Sequence, residues 1–441
     1  MNFPLQSFNA VSATNPWTYV VFGLIGFAFG FTLEMSGFGN SRKLAAQFYF
    51  TEMTVLKVMF TAIIVAMVLT FGASALGILD FGQVWVNTTY LSSGIVGGLI
   101  MGVGFIVGGF CPTTSLASAS TGKIDGMFFI AGGFVGAFLF AETERFFDNW
   151  YNFSGYFGRL TLDQVFNIPV GVVVLLVVLM ALFMFWGSEQ LERIVGGRNM
   201  SNEPKLRLVG AGTVVVLAVA VILIGSPSLE QKYSRVEVKR TYIQEAPADA
   251  TEEELAALEP VSVLMSGDEA LQNREIQISP AELFTTLYDQ KLHPVMLDVR
   301  PEAEYNLFHV RGAQNIQVSE LSAFAKELIA EYTPNRVIVV MSNDETLSTQ
   351  AWKVLVAESV ANVYILEGGL NNWIAFFGAD DPNIEGKVSN PLDEQLAYIF
   401  PAALGDRYEC SAPDPQHNEE LEFESKIQLE LKRDKSGGGC G

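Results

Sequence analysis

Apolar residues in this chain gather into six runs, near residues 19–35, 55–79, 94–110, 126–140, 168–186 and 208–225, and after that no run of similar length appears. A helix needs about 20 apolar residues to cross the hydrocarbon core of a bilayer. "VLKVMFTAIIVAMVLTFGASALGIL", "IPVGVVVLLVVLMALFMFW" and "LVGAGTVVVLAVAVILIG" reach or approach that length, whereas "GIVGGLIMGVGFIVGGF" and "GMFFIAGGFVGAFLF" are short and rich in glycine. The pattern predicts a polytopic α-helical membrane domain over residues 1–226. The segment ahead of the first run, "MNFPLQSFNAVSATNP", has neither the basic start nor the apolar centre of a cleavable leader, so the first run reads as a span that stays.

The membrane half repeats itself. A shift of 72 positions lays "GFAFGFTLEMSGFGNSRKLAA" on "GLIMGVGFIVGGFCPTTSLAS", so that Gly37-Phe38 falls on Gly109-Phe110 and Leu44-Ala45 on Leu116-Ala117. Each unit, about 17–79 and 90–141, runs from an apolar segment through a Gly-Phe break and a short polar stretch into another span, and two further spans follow. Interrupted segments at matching places in two halves point to a transport site, although glycines also serve close helix packing.

Beyond residue 226 the period changes. Residues 227–275 are polar and read as a linker or accessory segment. In 276–380, "PVMLDVR", "RVIVVMS" and "NVYILEG" are short apolar runs typical of buried strands, and "ISPAELFTTLYDQ" and "SELSAFAKELIAEY" are helical, the first opened by Ser279-Pro280. Strands alternating with helices predict a parallel sheet covered on both faces, with ligands beyond the carboxyl ends of the strands. In the extension 381–441, Leu421, Phe423, Ser425, Ile427, Leu429 and Leu431 alternate with polar residues, which predicts a half-buried strand over 421–431 ahead of "SGGGCG".

Charge sharpens the division. Residues 1–226 carry 10 Lys/Arg and 11 Asp/Glu, and residues 227–441 carry 17 and 37. So acidic a soluble half excludes nucleic acid as a partner, since phosphate binding needs clustered cations. Three cysteines and three histidines show no metal-ligand spacing, and neither a metal nor another cofactor is expected.

Candidate chemistry sits at the breaks, in one loop and at the end of the chain. At the second break Cys111 precedes Pro112, Thr113, Thr114 and Ser115, a helix start whose N–H groups favour an anion and would also favour a thiolate. The first break places Gly39 at the matching position, followed by Asn40, with Arg42 and Lys43 near enough to attract negative charge. Cys440 follows three glycines, which make a flexible tether. Cys410 is a second thiol of the soluble half, either a surface cysteine or a disulfide partner for Cys440.

"SGFGNSRKLAAQFYF" and "GGFCPTTSLASASTGKIDG" resemble the paired signatures of the YeeE/YedE sulfur-transport family over about residues 17–226. The resemblance implies uptake of a small sulfur anion, most simply thiosulfate, past cysteines lining a pore; only Cys111 carries over, because Gly39 departs from the cysteine often found in the first signature. "MLDVRPEAEYNLFHVRGAQNI" and "LEGGLNNW" resemble the rhodanese domain over about 277–378. That family takes a sulfane sulfur on a loop cysteine, but here the loop is "MSNDETLS". Ser342 stands at the nucleophile's place, Glu345 replaces the usual glycine and Leu347 the usual anion-holding arginine, while Asp344 and Glu345 would repel a thiosulfate dianion. A serine hydroxyl forms no persulfide, so classical sulfurtransferase activity is expected to be absent. The glycine-flanked tail resembles that of the carrier protein of thiosulfate-oxidising systems, which implies Cys440 as a sulfur-bearing thiol.

The expectation is therefore a multi-pass protein of the cell (inner) membrane that transports a sulfur anion. Its appended α/β domain would receive or present the sulfur, in exchange with a sulfur-accepting protein. A membrane-anchored sulfur carrier or sensor that transports nothing is the alternative. If all six runs cross, the loops at 36–54, 111–125 and 187–207 hold seven Lys/Arg against two in those at 80–93 and 141–167, which puts the soluble half outside the cytoplasm.

Overall fold

Each apolar run folds as a helix, and the polar breaks fold as short ones. In chain order the first part comprises α1 (Trp17–Met35), α2 (Ser41–Ala45), α3 (Thr54–Ala75), α4 (Leu91–Gly108), α5 (Pro112–Ser120), α6 (Ile124–Thr143), α7 (Asp148–Phe153), α8 (Leu162–Phe166), α9 (Val170–Ile194) and α10 (Leu206–Ile224). This computed structural model describes residues 17–84, 86–197, 206–242, 261–330, 335–388 and 391–429. The chain divides into two units between Ser226 and Pro227.

Among the described residues of the first unit, five helical stretches are long and apolar enough to cross a membrane, and Tyr19–Met35 is a shorter sixth. At about 1.5 Å per residue the 22 residues of α3 rise roughly the thickness of a hydrocarbon core. Large side chains of the apolar helices remain exposed within the chain, as at Phe27 (75%), Val107 (84%) and Leu223 (80%). A soluble protein rarely leaves so much contiguous apolar surface uncovered; a bilayer covers it. Helices α3, α9 and α10 pack through Ile64, Val68, Val174, Val178, Ala181 and Ala218. At one end of this bundle the fully buried Glu192 accepts from Lys57 Nζ at 2.6 Å and from the Met53 N–H at 2.6 Å, so the buried charge is paired and hydrogen-bonded.

The second unit is an α/β fold. Strands β1 (Glu237–Tyr242) and β2 (Val261–Ser266) form an antiparallel pair. Strands β3 (Gln277–Ile278), β4 (His293–Asp298), β5 (Gln314–Asn315), β6 (Arg336–Met341) and β7 (Val363–Leu366) form a parallel sheet in the order β3-β7-β6-β4-β5. Val337 to Met341 are all buried, because helices cover both faces. Leu283, Phe284, Leu370, Trp373 and Ile374 pack on one face, and Leu321, Ala325, Ala351, Trp352 and Leu355 on the other. The chain runs from β4 outward to β5 and returns beside β4 as β6, so the strand order reverses between β4 and β6, where the carboxyl ends open a site.

Of the two readings left open for residues 227–275, the accessory one fits their described part: Tyr233, Val238, Met265 and Ala270 join the core on the face of Trp352. One expectation changes. The segment Leu421–Leu429 forms no strand. Leu421, Ile427 and Leu429 do pack on the core, but side chains take the place of a ladder. Glu282 Oε1 accepts from the N–H groups of Lys426 (2.7 Å) and Ile427 (2.8 Å), the Tyr364 hydroxyl bonds both polar groups of the Gln428 backbone, and Gln428 bonds Thr241 through its amide. Alternation reported the two sides of an extended segment, not its hydrogen-bond partners. Residues 430 and 431 of the expected strand lie outside the described residues.

Candidate functional site

The first candidate is the pair of breaks. Each opens with a glycine in the left-handed region, Gly37 (φ +74°) and Gly109 (φ +70°), which turns the chain out of the preceding helix. A buried phenylalanine follows in each, Phe38 and Phe110, and both belong to one core with Leu44 and Val55. The breaks then meet. A Cβ on Gly109 would lie 2.9 Å from the Ser41 carbonyl oxygen, and the buried Ser118 hydroxyl donates to the Gly39 carbonyl at 3.1 Å. A Cβ on Gly39 would come within 2.8 Å of Glu34 Oε2 and Lys123 Nζ, so a thiol there would displace the Glu34–Lys123 pair.

Cys111 is the N-cap of α5. Its sulfur accepts from the Thr114 N–H at 3.5 Å, and the Thr114 hydroxyl accepts from the Cys111 N–H at 2.9 Å, a reciprocal capping box. The thiol is half-buried. Residue spacing pairs Cys111 with Gly39, but in capping role its counterpart is Asn40, whose side chain accepts from the Arg42 N–H at 3.1 Å. Thr114 and Ser115 are buried, and the Ser115 hydroxyl donates to the Pro112 carbonyl at 2.7 Å. Thr113 is half-buried. Lys43 donates to the Ser36 carbonyl at 2.9 Å, closing the end of α1, whereas Arg42 is exposed.

The second candidate is the loop after β6. Ser342 is fully buried, its hydroxyl 2.9 Å from the Asp344 carbonyl and 2.9 Å from Glu394 Oε1. Behind it Arg300 and Asp298 form a fully buried pair, and Arg300 Nη1 donates to Asn343 Oδ1 at 3.1 Å. Gly369 (φ +60°) packs directly on the loop, where a Cβ would collide with the Ser342 and Asp344 carbonyls. Glu345 turns away from the loop: Arg274 binds it through two nitrogens, and the Gly368 N–H donates to it at 2.7 Å. Its charge is therefore paired, so the expected repulsion by Glu345 is largely answered. Arg274, Glu345, Thr349, Gln350 and Lys353 border an open cleft of about 680 Å³ outside the loop.

The loop's N–H groups face a residue that sequence reasoning missed. Glu394 Oε1 accepts from the Leu347 N–H at 2.6 Å, and Oε2 from the Asn343 N–H at 3.2 Å. Burial and the neighbouring Asp344 carboxylate push the Glu394 carboxyl up to about 7. Nothing in "NPLDEQLAYI" announces this, because a lone acidic residue in a polar stretch carries no period. Of the remaining thiols, Cys410 is buried beneath Trp373, whose indole donates to its carbonyl, and burial pushes its thiol up to about 12. Cys440 lies outside the described residues.

This architecture defines a helical membrane protein joined to a parallel α/β domain. Residues 35–242 match the family model described as sulphur transport, and residues 279–376 match the rhodanese-like domain. The chain thus fuses a sulphur-transport region to a rhodanese-like domain, and sulfur-related transport across a membrane is the activity those matches support. Among solved structures it is similar to the BH2092 protein of Bacillus halodurans, at 16% identity over 25% of this chain and 78% of that one, with a TM-score of 0.22. It is also similar to the rhodanese-like domain of the Alr3790 protein of Anabaena sp., at 22% identity over 26% of this chain and 91% of that one, with a TM-score of 0.21. No curated protein matches the chain.

Proposed function

We propose that the membrane unit conducts thiosulfate past Cys111, and that the soluble half, outside the cytoplasm of the inner membrane, receives or presents the sulfur through Cys440. The observation that carries this reading is the meeting of the two glycine breaks, with a half-buried thiol capping the helix that starts there, in a region of the sulphur transport family. A polarisable thiol and the positive end of α5 suit a soft anion. Thr113, Thr114 and Ser115 shape that helix start, and Gly39, Asn40, Arg42 and Lys43 form the facing break.

Sulfur transfer to the tail needs no added oxidant. The Cys440 thiolate attacks the outer sulfur of thiosulfate, an S–S bond forms, and the bond to the inner sulfur breaks with its electron pair leaving as sulfite. A sulfur-accepting protein then takes the sulfane sulfur.

Uptake of radiolabelled thiosulfate into proteoliposomes tests the transport reading; liposomes holding the protein that take up no more label than empty ones refute it. For the tail, intact mass after thiosulfate exposure should show a reducible sulfur adduct that Cys440→Ala abolishes. An adduct that survives in Cys440→Ala and is lost in Cys410→Ala would refute the arm.

A further inference from the structure

We propose that Glu394 is a tethered internal ligand that closes the N–H cradle of the 342–348 loop, and that the vacated cradle takes a small monocarboxylic acid. The inference concerns the soluble unit alone and stands whether or not the membrane unit transports thiosulfate.

Every polar group of Glu394 is engaged by this one loop. Its carboxyl accepts from the Leu347 N–H (2.6 Å) and the Asn343 N–H (3.2 Å), with the Ser342 hydroxyl 2.9 Å away. Its own N–H donates to Asp344 Oδ2 at 2.8 Å, and its carbonyl accepts from Asn343 Nδ2 at 2.8 Å. A residue recognised on backbone and side chain together is held as a ligand is held. Its backbone is also strained: φ is +56°, a region that costs a non-glycine residue about 1–2 kcal/mol. Strain of this kind persists only where surrounding contacts over-determine it.

The strap that carries Glu394 is otherwise lightly attached. Leu392 is 78% exposed, and Pro391, Asp393 and Gln395 are exposed. Asn371 holds its far side, donating to the Gln395 carbonyl at 3.0 Å and accepting from the Ala397 N–H at 2.7 Å. Withdrawal therefore breaks few contacts besides those to the loop, and Asn371 can serve as the pivot.

The charges around the carboxyl set both its pH response and the class of ligand. Asp344 lies beside it in the loop. Glu304 reaches the same place through Asn343 Nδ2, while Arg300, paired with Asp298, approaches through Asn343 Oδ1. Glu345 is held outward by Arg274, and Asp393 precedes Glu394 on the strap. With Asp344 and Glu304 near and Arg300 already paired, a carboxyl is held best with its proton, and a dianion is disfavoured most. The closed carboxyl is raised from 4.5 to about 7, so proton binding favours closure. Closure is strongest below the free value and weakens as pH rises through that window, by on the order of a hundredfold in all.

Hydrogen exchange of the Asn343 and Leu347 amides in the full-length, detergent-solubilised protein reads the closure directly. Glu394→Ala should speed exchange at both amides tenfold or more, and added acetate should restore protection, more at pH ~5 than at pH ~8, with thiosulfate restoring less. In the wild type, protection corrected for intrinsic exchange should fall between pH ~5 and ~8. Glu394→Gln, which keeps an acceptor but does not titrate, should lose that dependence. Wild-type protection in Glu394→Ala, failure of acetate to restore it, or thiosulfate outperforming acetate would overturn the proposal. If Glu394→Ala does not fold, the two pH profiles decide: an unchanged profile in Glu394→Gln would overturn it.

Discussion

The break at Cys111 and the loop at Ser342 are built alike and left in opposite states. Each ends one regular element and starts a helix, α5 in one case and Thr346–Ala357 in the other, so each turns the unpaired backbone N–H groups of a helix start toward the residue in question. At the break the residue in question is a half-buried thiol that caps its own helix. At the loop it is a fully buried hydroxyl, and a carboxyl from 52 residues further along the chain occupies the donors. A helix start defines where an anion is welcome, and the side chains around it decide whether the place is open, reactive or filled.

Removing the thiol should give the largest effect. Cys111→Ala should lower thiosulfate uptake roughly tenfold or more, as expected for losing a contact to a charged partner worth about 1.5–3 kcal/mol. Normal uptake by a normally expressed variant would make Cys111 a packing residue and dissolve the comparison.

The loop depends on backbone room at Gly369, as the break does at Gly109, and more tightly. Gly369→Ala puts a Cβ against two loop carbonyls at a positive φ. About 1–2 kcal/mol for the left-handed backbone and typically 1–3 kcal/mol for overpacking should appear as a lowered denaturation midpoint of the soluble unit. A midpoint unchanged from wild type would mean that the loop can yield.

A smaller effect is expected at the cap. Thr114→Val removes the hydroxyl that closes the capping box, at a cost of about 1 kcal/mol. Because Thr114 also orients the sulfur, Cys111 alkylation should change in rate while the fold stays intact. An unaltered alkylation rate would show that the backbone alone positions the thiol.

How much of this was legible depends on the kind of signal each feature leaves. The six apolar helices and the strands β4, β6 and β7 were readable because continuous burial forces continuous apolar sequence. Strands β3 and β5 have two residues each, too few for any period. The pairing of Glu345 with Arg274 spans 71 positions, and the filling of the loop by Glu394 spans about 50, and neither leaves a local trace. Residue types at Ser342 and Cys111 were visible, but whether each site is open was not, since that depends on long-range contacts.

The smallest expected effect separates the loop's chemistry from its architecture. Ser342→Ala should leave thiosulfate:cyanide sulfurtransferase activity at background, because Ser342 has no exposed surface and its hydroxyl is engaged with Asp344, Ser348 and Glu394. Substantial wild-type turnover abolished by this substitution would refute the reading of the loop as inert. Ser342→Cys should also stay at background, for a reason the residue types alone did not give. A thiol in that position still lies under the Glu394 carboxyl, with Asp344 beside it, and burial among carboxylates raises a thiol's pKa, as at Cys410. Combining Ser342→Cys with Glu394→Ala uncovers the position, so the double variant should react with a thiol reagent faster than Ser342→Cys alone. Equal rates would mean that the strap does not close the loop, and that the two helix starts differ only in their residue.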